Sequence, residues 1–203
     1  RDLRRGDAGG EAAAPDALRN AAAAVKAARI SVEWYALGPG YASATGDWLA
    51  PVDSFRDKMG QAARSIGEQA FVPGIRFAPL LASKRSELVI EHRDWLVRAG
   101  NGKPVSRPSY GRDRDDCWIL DITHPQVQNH LRKMLAIMRD QWGFRAFVME
   151  RLDDLAVPGH RHDNRIGPGA LFDHAAGLMR EALGNRVYLA ASGIPLQIST
   201  GQW

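Results

Sequence analysis

The feature that most constrains this chain is an alternation. Apolar, strand-like runs at residues 30–37, 74–82, 144–152 and 186–191 are separated by segments whose apolar residues recur at helical spacing. Helices are expected over the Ala-rich stretch 16–28 and over 54–66, 86–97, 125–142 and 171–183. Pro15 and Asp16 open the first, and Ser54 with Asp57 makes a capping-box pattern for the second. Thr123 or His124, followed by Pro125, starts the fourth, which Gly143 stops. Gly184 closes the fifth. Such alternation gives parallel strands joined by right-handed crossovers. It fits a (β/α)8 barrel or a doubly wound open sheet. Neither GxGxxG nor GxxxxGK[ST] follows a strand, so no phosphate-cradling loop supports the open sheet.

A closed barrel takes about 250 residues. The 203 residues here, with four strands, read as roughly half of a TIM-barrel-type α/β domain, about strands two to five. Residues 1–14 are Gly, Ala and charge and read as a flexible lead-in; residues 15–203 read as one partial barrel domain. The chain is therefore expected to belong to a longer protein, with strands on both sides of it. The opening at Arg1, without Met, fits a processed or trimmed chain.

Charge and composition exclude several classes. Lys and Arg number 27 and Asp and Glu 23, a net charge of +4. The densest basic spots, residues 1–5 and 107–114, are interrupted by Asp and read as a solvated terminus and loop, so no nucleic-acid partner is expected. One cysteine, Cys117, excludes a disulfide framework and a multi-Cys metal site. It lies in the apolar stretch 117–122 and reads as a core thiol. No apolar run is long enough to cross a bilayer, and no secretory h-region opens the chain. The expected location is cytoplasmic, without a membrane partner.

In a barrel, chemistry sits at the C-terminal ends of the strands. Here those ends carry residues 38–41 followed by Gly46-Asp47-Trp48, then 79–83, 150–154 and 192–195. Only the third is dense in carboxylates. Glu150 ends the apolar run 146–149, and a carboxylate buried there is unfavourable unless paired or used. Two readings stand: a catalytic group, or an ion pair with Arg76 or Arg151. His160-Arg161-His162-Asp163 has metal-ligand residue types but no partner motif, and reads as a solvated loop; no metal or cofactor is expected. His92 and Asp94 read as local capping beside Trp95. Ser192 is not in GxSxG and is no nucleophile elbow.

Taken together, Phe77-Ala78-Pro79-Leu80-Leu81, Ser86-Glu87-Leu88, His92-Arg93-Asp94-Trp95 and Gly102-Lys103-Pro104 resemble one continuous signature of glycoside hydrolase family 36. That family holds the α-galactosidases, or melibiases, and reads W-F-x-P-x-M, S-x-L, H-P-D-W in this stretch. Leu120-Asp121-Ile122-Thr123-His124-Pro125-Gln126-Val127 is similar to its L-D-L-x-x-P-x-V, and Gly143-Phe144-Arg145-Ala146-Phe147 to its G-I/F-D-Y-I/L. Arg180 to Gly184 and Ala191 to Leu196 resemble R-x-A-x-G and G-C-G-x-P-L, and Gly46-Asp47-Trp48 matches G-D-W.

The resemblance implies a (β/α)8 hydrolase acting on a carbohydrate by a retaining, two-carboxylate mechanism. The family nucleophile, the Asp of K-W-D, falls on Glu150, and its Lys on Val148. The family's acid/base Asp falls beyond Trp203. Its D-D-G-W falls on Gly38-Pro39-Gly40-Tyr41, so both Asp are missing, and its third-strand Trp falls on Arg76. Candidates for sugar contact are Asp47, Trp48, Arg76, Asp153, Ser192 and Gly193. The expected activity is hydrolysis of α-galactoside-like or related terminal bonds, with a catalytically silent carbohydrate-binding relative as the alternative. An unrelated aldolase or isomerase barrel would want a strand-end Lys, and Lys84 and Lys103 lie in helix or loop. Half a barrel leaves two edge strands unpaired, which makes a homo-oligomer a candidate state.

Overall fold

The computed structural model describes residues 15–29 and 31–193. In chain order the elements are α1 (Pro15–Ala27), β1 (Trp34–Leu37), α2 (Met59–Gly67), β2 (Val72–Phe77), β3 (Leu81–Ser83) and α3 (Glu87–Glu91), then β4 (Ser106–Arg107), β5 (Cys117–Ile119), α4 (Pro125–Ala136), β6 (Ala146–Met149), α5 (Pro168–Leu183) and β7 (Tyr188–Ala191). The four longer strands form one parallel sheet in the order β1-β2-β6-β7. Helices α2, α4 and α5 lie in the connections between these strands, as the alternation requires.

Side chains alternate across the sheet. Ile75, Phe77, Phe147 and Met149 are fully buried in a core shared with Ile66, Leu131, Leu135, Phe172, Ala175 and Met179 of the helices. The other face is less covered: Trp34 is 38% and Tyr188 50% exposed. Gly74 stands in β2 because a Cβ there would lie 3.0 Å from that of Ala36 in β1.

The helices begin and end largely where sequence chemistry puts them. His124 accepts from the Gln126 N–H through Nδ1, with Pro125 in the first turn of α4. Past Ala136 the helix widens into a π turn over Ile137–Gln141, and Gly143, at φ 86°, ends it. Gly184, at φ 70°, closes α5.

Several expectations are corrected. The strand expected over 74–82 stops at Phe77. Pro79 has no N–H for a ladder, the Leu81 N–H turns back to the Ala78 carbonyl, and Leu81–Ser83 joins a second sheet. That sheet is antiparallel, in the order β3-β5-β4, and occupies the connection between β2 and α4. The polar stretch after residue 100 thus contains a strand. The helix expected over 86–97 ends at Glu91, because His92 leaves helical geometry and lies flat on Trp95, ring centroids 3.9 Å apart. The Ser54–Asp57 box does not form. Asp57 takes a left-handed φ of 57°, and α2 starts only at Met59. Ile30, at the start of the first expected strand, and residues 194–203 lie outside the described residues.

The segment after β1 folds back on the inserted sheet. The Ser83 N–H donates to the Thr45 carbonyl at 2.8 Å, and Gly46, at φ 101°, brings its backbone against Ala82. A Cβ at Gly46 would come within 2.7 Å of the Ala82 Cβ. Gly46→Ala therefore combines left-handed strain with overlap. It is expected to lower stability by about 1–3 kcal/mol, read as a lower denaturant midpoint; an unchanged midpoint would show that Ala82 moves aside freely.

Candidate active site

The C-terminal ends of the parallel strands converge with two segments from outside the sheet. Glu150 is the first residue past β6. Its N–H still donates to the Phe77 carbonyl at 2.9 Å, so its backbone is fixed by the ladder. Register pairs Arg76 with Val148, which puts Arg76, Val148 and Glu150 on one face. The Arg76 Nε lies 3.9 Å from Glu150 Oε2, with both side chains partly exposed. The Tyr110 hydroxyl donates to the same oxygen. Burial, and then the bond to Glu150, raises the Tyr110 pKa far above that of ordinary tyrosine, so the hydroxyl remains a proton donor.

Tyr110 reaches Glu150 from the inserted loop. Its carbonyl accepts from Thr45 Oγ1 at 2.7 Å, and the Thr45 N–H donates to Asp113 Oδ2 at 2.6 Å. Gly111, at φ 66°, turns the loop directly after it. The Tyr110 ring meets Trp48 edge to face, centroids 6.1 Å apart, and Trp48 in turn packs on Phe77 at 5.9 Å.

Below Glu150 the chain makes a tight turn in which Arg151 takes φ 62°. Asp154 is fully buried there. Arg107 Nε approaches its Oδ1 to 2.5 Å and Arg151 Nη2 to 3.3 Å. Burial raises the Asp154 pKa, and the two guanidinium groups oppose that rise. Arg107 and Arg151 also lie 3.8 and 4.0 Å from Asp153. The β7 end closes against this turn. The Ser192 N–H donates to the Met149 carbonyl at 2.9 Å, and the Leu152 N–H to the Ser192 carbonyl at 3.2 Å. Gly193, at φ 82°, leaves no room for a Cβ, which would fall 2.5 Å from Asp153 Oδ1.

Of the residues singled out in the sequence, Glu150, Arg76, Asp153, Ser192 and Gly193 thus share one end of the sheet. Arg151 pairs with Asp153 and Asp154, and among the described residues Arg76 is the cation beside Glu150. Asp47 and Trp48 occupy a supporting layer instead. Both Asp47 oxygens are taken by the amides of α3, Oδ2 by Glu87 at 3.0 Å and Oδ1 by Leu88 at 3.1 Å. Burial raises the Asp47 pKa and those two amides oppose it. Trp48 is 2% exposed and stands behind Tyr110.

Sequence reasoning missed Tyr110, Thr45, Arg107 and Asp154. One signal was present: Tyr110 is the sole aromatic among residues 100–116 and precedes a glycine. The 107–114 stretch is only in part a solvated loop, since Arg107 anchors Asp154. Cys117 is buried as expected, and burial raises its thiol pKa. No group of three or more His, Cys, Asp or Glu among the described residues is arranged to hold a metal. No described helix is long and apolar enough to cross a membrane. A cleft of about 590 Å3 lies at the opposite end of the sheet. Its Arg139 and Arg145 side chains are engaged with the Ala182 and Arg139 carbonyls at helix C-termini.

The 160–163 loop is tied down rather than free. Arg98 and His160 exchange backbone hydrogen bonds, and the His162 and Asp163 amides donate to buried Asp121 and to Thr123. His162 and His124 lie 4.8 Å apart between ring centroids, and Trp95 carries His92 and His130 nearby. Burial lowers the His130 pKa, helped by His92 and Lys133. A depressed histidine stabilises the fold above its unfolded pKa of about 6.5 and loses that contribution as pH falls through the folded value. The Tm is therefore expected to fall as pH drops below about 6.5, and His130→Gln to flatten that limb; equal slopes would remove His130 as the source.

Comparison with known proteins adds the lineage. The melibiase family profile matches residues 17–146, ending short of Glu150. The α-galactosidase Mel36A of Lactobacillus acidophilus is 26% identical over 123 residues, 57% of this chain and 16% of that protein. Among solved structures, the Thermus thermophilus α-galactosidase TtGalA in complex with stachyose superposes with a TM-score of 0.75 at 28% identity. It covers 92% of this chain and 38% of that one. The α-galactosidase AgaA A355E D548N of Geobacillus stearothermophilus, in complex with raffinose, is 14% identical with a TM-score of 0.64, over 88% of this chain and 25% of that one. That last likeness is one of fold. This chain thus spans well under half the length of each of these relatives.

Proposed function

This chain belongs to the melibiase family, and on that premise we propose that the protein carrying it is an α-galactosidase-type glycosidase with Glu150 as its nucleophile. The four parallel strands are read as the second to fifth of a (β/α)8 barrel, with residues 15–203 as its partial catalytic domain. The observation that carries the reading is Glu150 itself: a partly buried carboxylate at a strand end, its backbone locked to Phe77 and its Oε2 held by Tyr110.

The chemistry follows the retaining scheme. The Glu150 carboxylate attacks the anomeric carbon as the bond to the leaving oxygen breaks, and a second carboxylic acid gives that oxygen a proton. The same second group then takes a proton from water, which displaces Glu150 and frees the sugar. The second carboxylate is proposed to come from sequence beyond Trp203. Arg76, Asp153, Ser192 and Gly193 surround the reacting position as sugar contacts, while Asp47 and Trp48 act through the elements they hold. Gly38, Pro39 and Val148 stand where the family carries two Asp and a Lys, so the hydroxyl contacts of a galactoside are not reproduced there.

Those same three positions favour a second reading, a carbohydrate-binding relative that has lost the chemistry. The two separate on the whole protein assayed with a panel of aryl α- and β-glycosides. Glu150→Gln is expected to lower kcat by on the order of 10^3-fold or more, with the fold retained. Activity indifferent to that change would dismiss Glu150 as nucleophile. Absence of turnover with measurable sugar binding by calorimetry would establish the silent relative.

A further inference from the structure

We propose that Tyr110 is a positioning residue for Glu150, and that the Gly46-Asp47-Trp48 segment exists to hold it there; this rests on the glycosidase reading above.

A glutamate has one more rotatable bond than the aspartate it replaces, so its carboxylate must be tethered to present a single oxygen for attack. Both tethers fall on one atom: the Tyr110 hydroxyl donates to Oε2, and Arg76 Nε sits 3.9 Å from it. Among the described residues, these two contacts leave Oε1 to meet the anomeric carbon. Once the glycosyl ester forms through Oε1, Oε2 becomes its carbonyl oxygen, and the same hydroxyl stabilises the carboxylate again as water displaces it.

The placement of Tyr110 is built rather than incidental. Its ring abuts Trp48 edge on, at 6.1 Å and 76°. Its carbonyl is fixed by Thr45 Oγ1, and the loop beyond it by the Thr45 N–H on Asp113. Thr45 and Trp48 flank Gly46 and Asp47. Gly46 lies close against Ala82, and Asp47 bonds the first amides of α3. The segment thus joins the inserted sheet, α3 and the loop of Tyr110 in one unit, with its aromatic member against Tyr110. A tyrosine hydroxyl in such surroundings requires a partner, and Glu150 is the one supplied.

The test uses the whole protein. Tyr110→Phe keeps the ring and removes the donor. It is expected to lower kcat about 10- to 100-fold with KM unchanged or reduced, since the loss falls on the chemical steps. Thr45→Val, which frees the backbone of Tyr110, is expected to give a smaller loss of the same kind. A raised KM at unchanged kcat in Tyr110→Phe would overturn the proposal. An activity-independent arm measures Tm for Tyr110→Phe, Glu150→Ala and the double variant. Coupled groups give a double variant that loses less than the sum of the two, and strict additivity would overturn the contact. If Glu150→Gln is inactive while Tyr110→Phe matches wild type, the glycosidase reading stands and this proposal falls. If Glu150→Gln is fully active, both fall.

Discussion

The parallel register of β2 with β6 is the constraint on which the site depends. It sets Arg76 opposite Val148 and Phe77 opposite Met149, and it carries one hydrogen bond past the last pair, from the Glu150 amide to the Phe77 carbonyl. Side chains alternate strictly, so a slip of one residue would turn Glu150 toward the helices and Met149 toward Tyr110. Phe147 and Met149, fully buried beside Ile75 and Phe77, oppose that slip, because both would leave the core for a half-covered face. Core packing on one side of the sheet therefore fixes the aim of a carboxylate on the other.

Around that carboxylate the charges are arranged in layers. Arg76 is near Glu150, while Arg107 and Arg151 close on Asp154 beneath it. A fully buried carboxylate without those arginines would be strongly disfavoured. Their engagement with Asp154 also holds the turn at 151–154, against which Ser192 and Gly193 pack. The floor of the site is thus ionic and the wall behind Tyr110 is aromatic.

The parallel core was readable because helical and strand periods are local. Helices α4 and α5 announce themselves through Pro at their starts, Gly at their ends and apolar residues every three or four positions. Glu150 was readable as a carboxylate closing an apolar run. The antiparallel sheet was not, since its strands have two or three residues and too little alternation to register. Asp47 looked like a ligand-facing carboxylate because the sequence does not show the α3 amides that occupy it, 40 and 41 residues away. The Tyr110–Glu150 pair was hidden for the same reason, with 40 residues between its partners.

That contact has a consequence for how the molecule matures. The sheet itself pairs residues as far apart as Gly74 and Ala146, 72 positions, so the 40 positions from Tyr110 to Glu150 close no longer loop; the contact differs from the core in strength, not in reach. It is one side-chain hydrogen bond, far weaker than the core beneath the sheet. The chain can therefore reach a compact, fully helical and sheet-bearing state in which the carboxylate still samples several rotamers. Structural integrity and chemical competence are then separable milestones, and ordinary probes of folding would record the first without registering the second.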